Sequence, residues 1–368
     1  MTAYLLLGLI AATIAFILTP AVRWAARRLN AVDHPNDRKV HARATPTLGG
    51  LALLAGILGA LAVASTMEEF SDSFTQSSEL IGIVAGALII FALGAIDDLR
   101  DLPAPVKLAG QIFAAGIVFM SGVKMRALPL PPNETIVLTD DVAVVVTILW
   151  LVAMMNAVNL VDGLDGLAAG IVAIASSSFF VYTFQLSQGD LSGFIDPAPI
   201  LCITIVGACL GFLRYNFHPA TIFMGDSGAM VLGLVLGGAT VIGIGQAPFF
   251  TRPSVFLQYV PLLIPIAVIA IPFLDGLLAI VRRTRRRRSV FHADKEHLHH
   301  RLMDLGHGHR TAVLVMYAWS ALAAGAGLAF TFLDRSNLIF ALPVAVAAIV
   351  VYTLFPILTK TIRTKIVP

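Results

Sequence analysis

Long apolar runs separated by short polar segments make up most of the chain. A run of about 17 to 25 apolar residues can cross a bilayer as a helix. Eleven runs meet this length, near 3–22, 47–66, 80–96, 106–122, 143–161, 166–186, 198–213, 227–245, 257–281, 311–332 and 338–358. The fourth is interrupted by Lys107 and Gln111. The pattern predicts an all-α polytopic integral membrane protein of about 11 transmembrane helices, with 1–368 as a single transmembrane domain.

Composition agrees with this class. Of 368 residues, 58% are hydrophobic and only 13% are charged, which excludes a soluble domain. The first run, Tyr4 to Val22, lacks a preceding basic flank and a following cleavage site, so we expect it to remain as the first span. Cys202 and Cys209 lie about two helical turns apart in one run and are interpreted as packing residues, not as a disulfide.

The distribution of basic residues predicts the orientation. With Lys107 at the boundary, 21 of the 25 lysines and arginines fall on one side of the predicted spans, and four fall on the other. Those four are Lys124, Arg126, Arg252 and Arg335. Cytoplasmic loops carry the excess of positive charge. We therefore expect the N-terminus outside and the C-terminus in the cytoplasm.

The unusual polar clusters all lie on the predicted cytoplasmic side. They are "DRKVHARATPTLGG" (37–50), "DDLRDL" (97–102), "NAVNLVDGLDGL" (156–167), "RYNFHPATIFMGDSG" (214–228) and "HADKEHLHHRLMDLGH" (292–307). Their loops are predicted to form one active site on the cytoplasmic face, from segments 23–46, 97–105, 156–167, 214–228 and 282–310.

Aspartates dominate these clusters. Asp97 and Asp98 end the third run, where adjacent carboxylates repel unless a cation neutralises them. Metal or phosphate chemistry explains the pair, and so does a hydrated helix end. Asp226, between Gly225 and Gly228, suits a helix N-cap or a metal or phosphate near a helix start.

The segment 156–167 places polar residues at a repeat of three. They are Asn156, Asn159, Asp162 and Asp165. On one helix this repeat predicts a slanted polar stripe. Such a stripe faces lipid only at a cost of about 2.5 to 3.5 kcal/mol per charged residue. It therefore faces a substrate cleft or forms a polar seam between helices, and Gly163 and Gly166 would permit a helix break.

Basic and histidine residues crowd the last large loop. Six of the nine histidines lie there, at His292, His297, His299, His300, His307 and His309. The cysteine partners of common zinc sites are missing nearby, so phosphate recognition by His297, His300 and Arg301 fits better than zinc, with a solvated basic loop as the alternative.

Two further features of this region have ordinary explanations. The run "RRTRRRR" (282–288) is typical of a topology anchor that contacts anionic lipids, or it steers phosphates. Nothing else in the sequence supports binding of nucleic acid. Asp275 lies within the ninth run, where it is either functional or paired with Arg282 or Arg283.

Together these features predict phosphoryl transfer. The carboxylates favour Mg²⁺, which shares its coordination sphere with substrate phosphates. Basic residues on the same face favour a polyanionic substrate, and the membrane favours a lipid. A soluble nucleotide-activated donor and a lipid phosphate acceptor satisfy all three.

The motifs resemble the polyprenyl-phosphate N-acetylhexosamine-1-phosphate transferase superfamily over nearly the whole chain. The resemblance rests on five ordered segments, "TPTLGG" (45–50), "DDLRDL" (97–102), "NAVNLVDGLDGL" (156–167), "FMGDSG" (223–228) and "HLHH" (297–300). It implies transfer of a sugar 1-phosphate from a UDP-sugar to a polyprenyl phosphate, with release of UMP. The implied cofactor is Mg²⁺, with Mn²⁺ as a substitute.

The resemblance also implies residue roles. The catalytic residues would be Asp97, Asp98, Asp226 and His297, and the three aspartates would also serve the metal. The substrate-binding residues would be Asn156, Asn159, Asp162, Asp165, Asn216, Phe223, Lys39, Arg43, His299, His300 and Arg301. Phe223 would stack on uracil. Which of Asp97 and Asp98 acts on the lipid phosphate stays open, because a phosphate monoester is largely ionised at pH 7 and can react without a base.

Within the superfamily, the spaced "HLHH", the preceding arginine run and the eleventh span resemble the UDP-GlcNAc branch. That branch implies polyprenyl-diphosphate-GlcNAc as the product, made in the plasma membrane, or bacterial inner membrane, for a cell-envelope glycan. The alternative is a phospho-MurNAc-pentapeptide transferase. An ion-coupled transporter would instead spread charge through the bilayer and show repeat symmetry. Gly233, Gly237 and Gly238 permit close helix packing, which is compatible with a homodimer.

Overall fold

The computed structural model describes residues 1–33, 44–75, 78–130, 134–187, 197–245, 306–332 and 342–354. Its helices are α1 (Thr2–Arg28), α2 (Gly50–Ala64), α3 (Ser71–Thr75), α4 (Glu79–Arg100), α5 (Ala104–Met120), α6 (Asp140–Val161), α7 (Leu167–Ser187), α8 (Ala198–Asn216), α9 (Gly225–Gly245), α10 (His309–Phe332) and α11 (Leu342–Leu354). A 3-10 turn, Glu68–Phe70, precedes α3.

The helices confirm a multi-pass membrane protein. In the described part of the chain, seven are long and apolar enough to span a bilayer, namely α1, α4, α6, α7, α8, α9 and α10. An eighth span results if α2 and the segment after it, bent by 100°, count together. At 17 residues, α5 is shorter than these helices. The predicted ninth span, 257–281, lies outside the described residues, so eleven spans and their orientation stay predictions.

Helix α9 lies at the centre of the bundle. It packs against α2, α4, α6 and α8, and 89% of its most apolar stretch is buried. A helix that is apolar on all sides is stable only in such surroundings. Gly233 shows how close the packing is, because a Cβ there would lie 2.6 Å from the carbonyl oxygen of Met154.

Glycines bring two pairs of segments into backbone contact. A Cβ on Gly207 would lie 2.0 Å from the carbonyl oxygen of Gly8, so α8 and α1 touch directly. A Cβ on Gly50 would lie 2.3 Å from the amide nitrogen of Gly228. Small residues permit such approach between membrane helices. The second contact joins the start of α2 to the start of α9 and so brings two sequence motifs together.

Two short antiparallel hairpins depart from the predicted all-α class. Val32–Asp33 (β1) pairs with Thr45–Pro46 (β2), and Ala127–Leu130 (β3) pairs with Glu134–Val137 (β4). The apolar pattern did not predict them because strands of two to four residues are too short to show an alternation. The protein is therefore mostly helical, with β1–β2 leading into α2 and β3–β4 connecting α5 to α6.

Candidate active site at one end of the bundle

One end of the bundle brings together the starts of five helices (α2, α5, α7, α9 and α10) and the ends of three (α4, α6 and α8). Hydrogen bonds join the last turn of α4, the C-terminal part of α6 and the segment after α8 to the N-terminal parts of α2, α5, α9 and α10. The α6–α7 connection joins the same assembly through Gly166, whose carbonyl accepts from the Tyr317 hydroxyl. Four of the five sequence motifs therefore lie together in the described part of the chain, as their common side of the membrane predicted.

Lys107, in the first turn of α5, bridges two of the predicted aspartates. Its Nζ donates to Asp226 Oδ2 at 2.8 Å and forms an ion pair with Asp97. Asp97 is 5% exposed, whereas Lys107 and Asp226 are each about 30% exposed. The backbone N–H of Leu102 donates to the other oxygen of Asp97 at 2.7 Å. Asp97 and Asp226 thus face a shared cation, which offsets the repulsion between them.

Asp98 has a different environment from its neighbour. Its Oδ1 accepts from the backbone N–H of Asp226 at 2.8 Å, and its Oδ2 accepts from the Ser227 hydroxyl at 2.7 Å. A carboxylate from α4 therefore caps the start of α9, where unpaired amides and the helix dipole favour negative charge. The alternative interpretation of Asp226 as an N-cap is wrong, because Asp226 lies inside the first turn and Asp98 supplies the cap.

Gly225 makes this capping contact possible. Its φ is +70°, in the left-handed region, and an added Cβ would lie 2.3 Å from Asp98 Oδ2 and 2.5 Å from Thr47 Oγ1. Only glycine accepts both the conformation and the approach without strain. The first glycine of "FMGDSG" therefore allows the chain to turn into α9 against the carboxylate.

Backbone hydrogen bonds align "TPTLGG" with "FMGDSG". The N–H of Phe223 donates to the carbonyl of Pro46 at 2.8 Å, and the N–H of Gly49 donates back to the carbonyl of Phe223 at 2.9 Å. The N–H of Gly50 donates to Met224 at 2.9 Å. The aromatic ring of Phe223 is half-buried. Its predicted stacking on uracil stays a prediction, with the backbone position now fixed by the first motif.

The polar stripe predicted for 156–167 is wrong as a single helical face. Helix α6 ends at Val161, so only the two asparagines lie on it, and the aspartates belong to the turn before α7. Gly166, at φ +79°, completes the turn. The helix break that the glycines permitted is therefore present. As a result, Asp162 and Asp165 lie in the turn and not on the surface of α6.

The two asparagines have different hydrogen-bond partners. Asn156 donates from Nδ2 to Gln111 Oε1 at 2.7 Å, and so joins α6 to α5. Asn159 hydrogen-bonds the carboxylate of Asp226. Asn156 therefore behaves as part of a polar seam, while Asn159 belongs to the carboxylate cluster. Their predicted substrate contacts stay predictions.

The two aspartates of the turn, Asp162 and Asp165, have different surroundings. Loss of solvation, together with the negative charges of Asp226, Asp98 and Asp165, raises the pKa of Asp162 to about 8. Asp165 points to another partner, because its Oδ2 accepts from His218 Nδ1 at 2.7 Å and from the N–H of Ala220 at 3.0 Å. A cation near Asp162 would favour its charged form.

Asn216 is almost completely buried, at 1% exposure, and donates from Nδ2 to the carbonyl of Ile222 at 3.0 Å. It closes the loop before α9, and its predicted substrate contact stays a prediction. The remaining predicted features lie outside the described residues: Lys39, Arg43, Asp275, the run at 282–288, His297, His299, His300 and Arg301.

Sequence reasoning missed several residues that build this site. Lys107 and Gln111 were noted only as interruptions of an apolar run, although a cation within such a run is a functional candidate by default. Ser227 and His218 carry no such signal, because serine and histidine next to glycine or proline are common in ordinary loops. Their contacts depend on segments distant in the sequence.

The donor set at Lys107 fits a hard divalent cation. Mg²⁺ takes oxygen ligands from one or two carboxylates and keeps the rest for water and substrate phosphates. Asp97 and Asp226 supply such oxygens around a position that a cationic group already bridges. Both oxygens of Asp98 accept hydrogen bonds from the start of α9, so the pair Asp97 and Asp226 fits the ion better.

Comparison with known proteins identifies the family of the chain. The family model described as glycosyl transferase family 4 matches residues 80–244. A decaprenyl-phosphate N-acetylglucosaminephosphotransferase of Mycolicibacterium smegmatis is 41% identical, covering 96% of this chain and 89% of its own. A probable undecaprenyl-phosphate N-acetylglucosaminyl 1-phosphate transferase of Bacillus subtilis is 37% identical, covering 82% and 77%. A phospho-N-acetylmuramoyl-pentapeptide-transferase of Moorella thermoacetica is 32% identical, covering 87% and 96%.

The similarity to these relatives extends over most of the chain. The protein is thus a membrane-embedded transferase. It belongs to glycosyl transferase family 4, in the branch of the polyprenyl-phosphate N-acetylglucosamine-1-phosphate transferases.

Proposed function

We propose that the protein transfers N-acetylglucosamine 1-phosphate from UDP-GlcNAc to undecaprenyl or decaprenyl phosphate. An oxygen of the lipid phosphate attacks the phosphorus attached to the sugar, the bond to the uridine-side phosphate breaks, and UMP leaves. The product is polyprenyl-diphosphate-GlcNAc. The observation that carries the proposal is the cluster of Lys107, Asp97 and Asp226 at the end of an apolar bundle, where a lipid phosphate and a soluble nucleotide can meet.

The residues of the site would act mainly by positioning. Lys107 holds two carboxylates in place and adds positive charge beside a transferring phosphate. Asp98 fixes the start of α9, and with it the backbone position of Asp226. Phosphoryl transfer depends chiefly on such orientation and electrostatic stabilisation. Phe223 is half-buried, and its ring would provide a flat apolar face for the uracil of the donor.

We propose Mg²⁺ as the cofactor, held by Asp97 and Asp226, with Mn²⁺ as a substitute. The ion would neutralise charge on the donor diphosphate. Chelation of the purified protein with EDTA is expected to stop UMP release, and added Mg²⁺ is expected to restore it. Unchanged turnover in excess EDTA would contradict the assignment.

We propose a cytoplasmic active site in the plasma membrane, with the N-terminus outside. Supporting this, the excess of basic residues lies in the segments that the sequence assigns to the same side of the membrane as the motifs. The donor is a soluble nucleotide sugar, which would reach such a site from the cytoplasm. Labelling of single cysteines introduced at positions 124 and 100 would test the orientation, because only the first should react from outside.

The donor assay tests the function. Purified protein is incubated with Mg²⁺, polyprenyl phosphate and either UDP-GlcNAc or UDP-MurNAc-pentapeptide, and UMP release is measured. UDP-GlcNAc is expected to react. Relatives named as N-acetylglucosaminephosphotransferases reach 42% identity, against 32% for a phospho-N-acetylmuramoyl-pentapeptide-transferase. Turnover of the pentapeptide donor alone would overturn the choice of sugar, and no turnover of either would overturn the activity.

Phe223→Ala is expected to weaken UDP-sugar binding about tenfold, the scale of one aromatic stacking contact on a base. Binding of polyprenyl phosphate should change little. Calorimetry with each substrate alone measures both effects. Phe223→Tyr keeps the ring face and serves as the matched variant. Equal losses for both substrates in Phe223→Ala would contradict stacking on the nucleobase.

A further inference from the structure

Three side chains from separate segments form a second polar cluster beside the carboxylates. Asp165 lies in the α6–α7 turn, His218 follows α8, and His309 begins α10. One ligand-type atom of each lies within 4.8 Å of the others. The imidazole rings stack with centroids 4.0 Å apart and an interplanar angle of 15°. Neither histidine belongs to the five segments that carried the family resemblance.

The contacts favour a hydrogen-bonded cluster over a metal centre. Two ligand atoms on one tetrahedral zinc ion lie about 3.3 Å apart, as bonds of about 2.0 to 2.1 Å require. Asp165 Oδ2 and His218 Nδ1 are 2.7 Å apart, the length of a charge-assisted hydrogen bond. Because an ionised carboxylate only accepts, Nδ1 carries the proton. That nitrogen is then unavailable to a metal.

Helix α10 holds this pair from both sides. Arg310 donates from Nε to the backbone carbonyl of His218 at 2.8 Å, and His309 stacks on the His218 ring. The hydroxyl of Tyr317 donates to the carbonyl of Gly166, the residue after Asp165. Helix α10 therefore holds both the histidine and the turn that carries the aspartate.

Two polar atoms of the cluster have no hydrogen-bond partner among the described residues. Among the described residues, both hydrogen bonds to Asp165 fall on Oδ2, and Oδ1 remains as an acceptor. The Nε2 atom of His309 is buried and has no hydrogen-bond partner in the described part of the chain. A buried polar atom without a partner is costly. A cluster that serves packing alone has no reason to keep it.

We propose that His218 is a positioning residue for the nucleotide-sugar donor. It holds Asp165 by one oxygen so that the other accepts from an N–H or O–H group of the nucleoside, and the start of α10 keeps the imidazole in place. This inference rests on the proposed function. It gives His218, which lies outside the motifs, the role of orienting the Asp165 carboxylate toward the donor.

Kinetics of His218→Ala and His218→Asn test the proposal. In His218→Ala, KM for UDP-GlcNAc should rise about tenfold, the scale of one hydrogen bond to a charged group. KM for polyprenyl phosphate and kcat should stay within about twofold. The amide of His218→Asn can donate from nearly the same place as Nδ1, so this variant should recover most of the lost affinity.

A control in the same loop separates positioning from loop stability. Thr221→Ala removes a hydrogen bond to the carbonyl of Tyr215 and does not touch Asp165, so KM for the donor should stay normal. His309→Ala should raise KM for the donor in the same direction as His218→Ala. Binding of UDP-GlcNAc without lipid, measured by calorimetry, should weaken in parallel.

Three results would overturn the inference. One is an equal rise of both KM values in His218→Ala, and another is a fall in kcat alone. A third is stoichiometric zinc in the purified protein that disappears in His218→Ala, which would make the cluster a metal centre. Failure of the wild-type protein to use any UDP-sugar would instead overturn the proposed function, so the two failures are distinct.

Discussion

Replacing Lys107 with methionine is expected to lower kcat about 100-fold at saturating substrates, the usual cost of removing one preorganised charged donor. Methionine keeps the length and the apolar stem of lysine but removes the ammonium group. Without it, Asp97 and Asp226 lose the ammonium group that fixes their relative position, and the transferring phosphate loses a positive charge beside it. UMP release under saturating UDP-GlcNAc, lipid phosphate and Mg²⁺ measures the effect.

The chain offers a matched control for this substitution. Lys124 also pairs with an aspartate, Asp140, but at 3.9 Å and with Asp140 85% exposed. An exposed pair of this kind contributes only about 0 to 1 kcal/mol. Lys124→Met should therefore leave kcat unchanged. Equal activities of Lys107→Met and Lys124→Met would refute a role for Lys107 in the reaction.

Much of the helical fold could be predicted from the apolar pattern. Spans around α6 and α7 were placed within a few residues, and so was the break between them, because long apolar runs and the glycines at 163 and 166 act locally. The hairpins were missed because their strands are too short to show a pattern. The 100° bend after α2 was missed because an apolar run indicates the length of a helix but not the direction in which the chain continues after it.

The meeting of the motifs was predicted, but the pairing of their side chains was not. Motifs on one side of the membrane must share a surface, so the meeting of Asp98 with the start of α9 could be anticipated in outline. Which oxygen binds which group depends on packing between segments more than 100 residues apart, as in the contact of Lys107 with Asp226. A single sequence does not show how such distant segments are aligned against each other. The separation of Asp165 from Asp162, toward His218, follows from the same packing.

Replacing Asp226 with asparagine is expected to have the largest effect, a loss of kcat of at least about 1,000-fold, which corresponds to about 4 kcal/mol of transition-state stabilisation. Asparagine has the same shape and can still accept the hydrogen bond from Lys107 through its carbonyl oxygen. It removes the negative charge and places an NH₂ donor where the second carboxylate oxygen was. A loss of kcat together with a weaker affinity for Mg²⁺ or Mn²⁺ therefore reports the charge.

Asp140→Asn is the control, since Asp140 lies at the opposite end of α6 and is exposed. Near-normal turnover in Asp226→Asn would refute the metal assignment. Loss of turnover with unchanged metal affinity would instead show that Asp226 does not bind the ion. The negative charge of Asp226 would then act only on Lys107. Comparing Asp226→Asn with Lys107→Met and with the double variant distinguishes these cases, because losses within one ion pair are not additive. If the pair acts as a unit, the double variant should be hardly worse than Asp226→Asn alone.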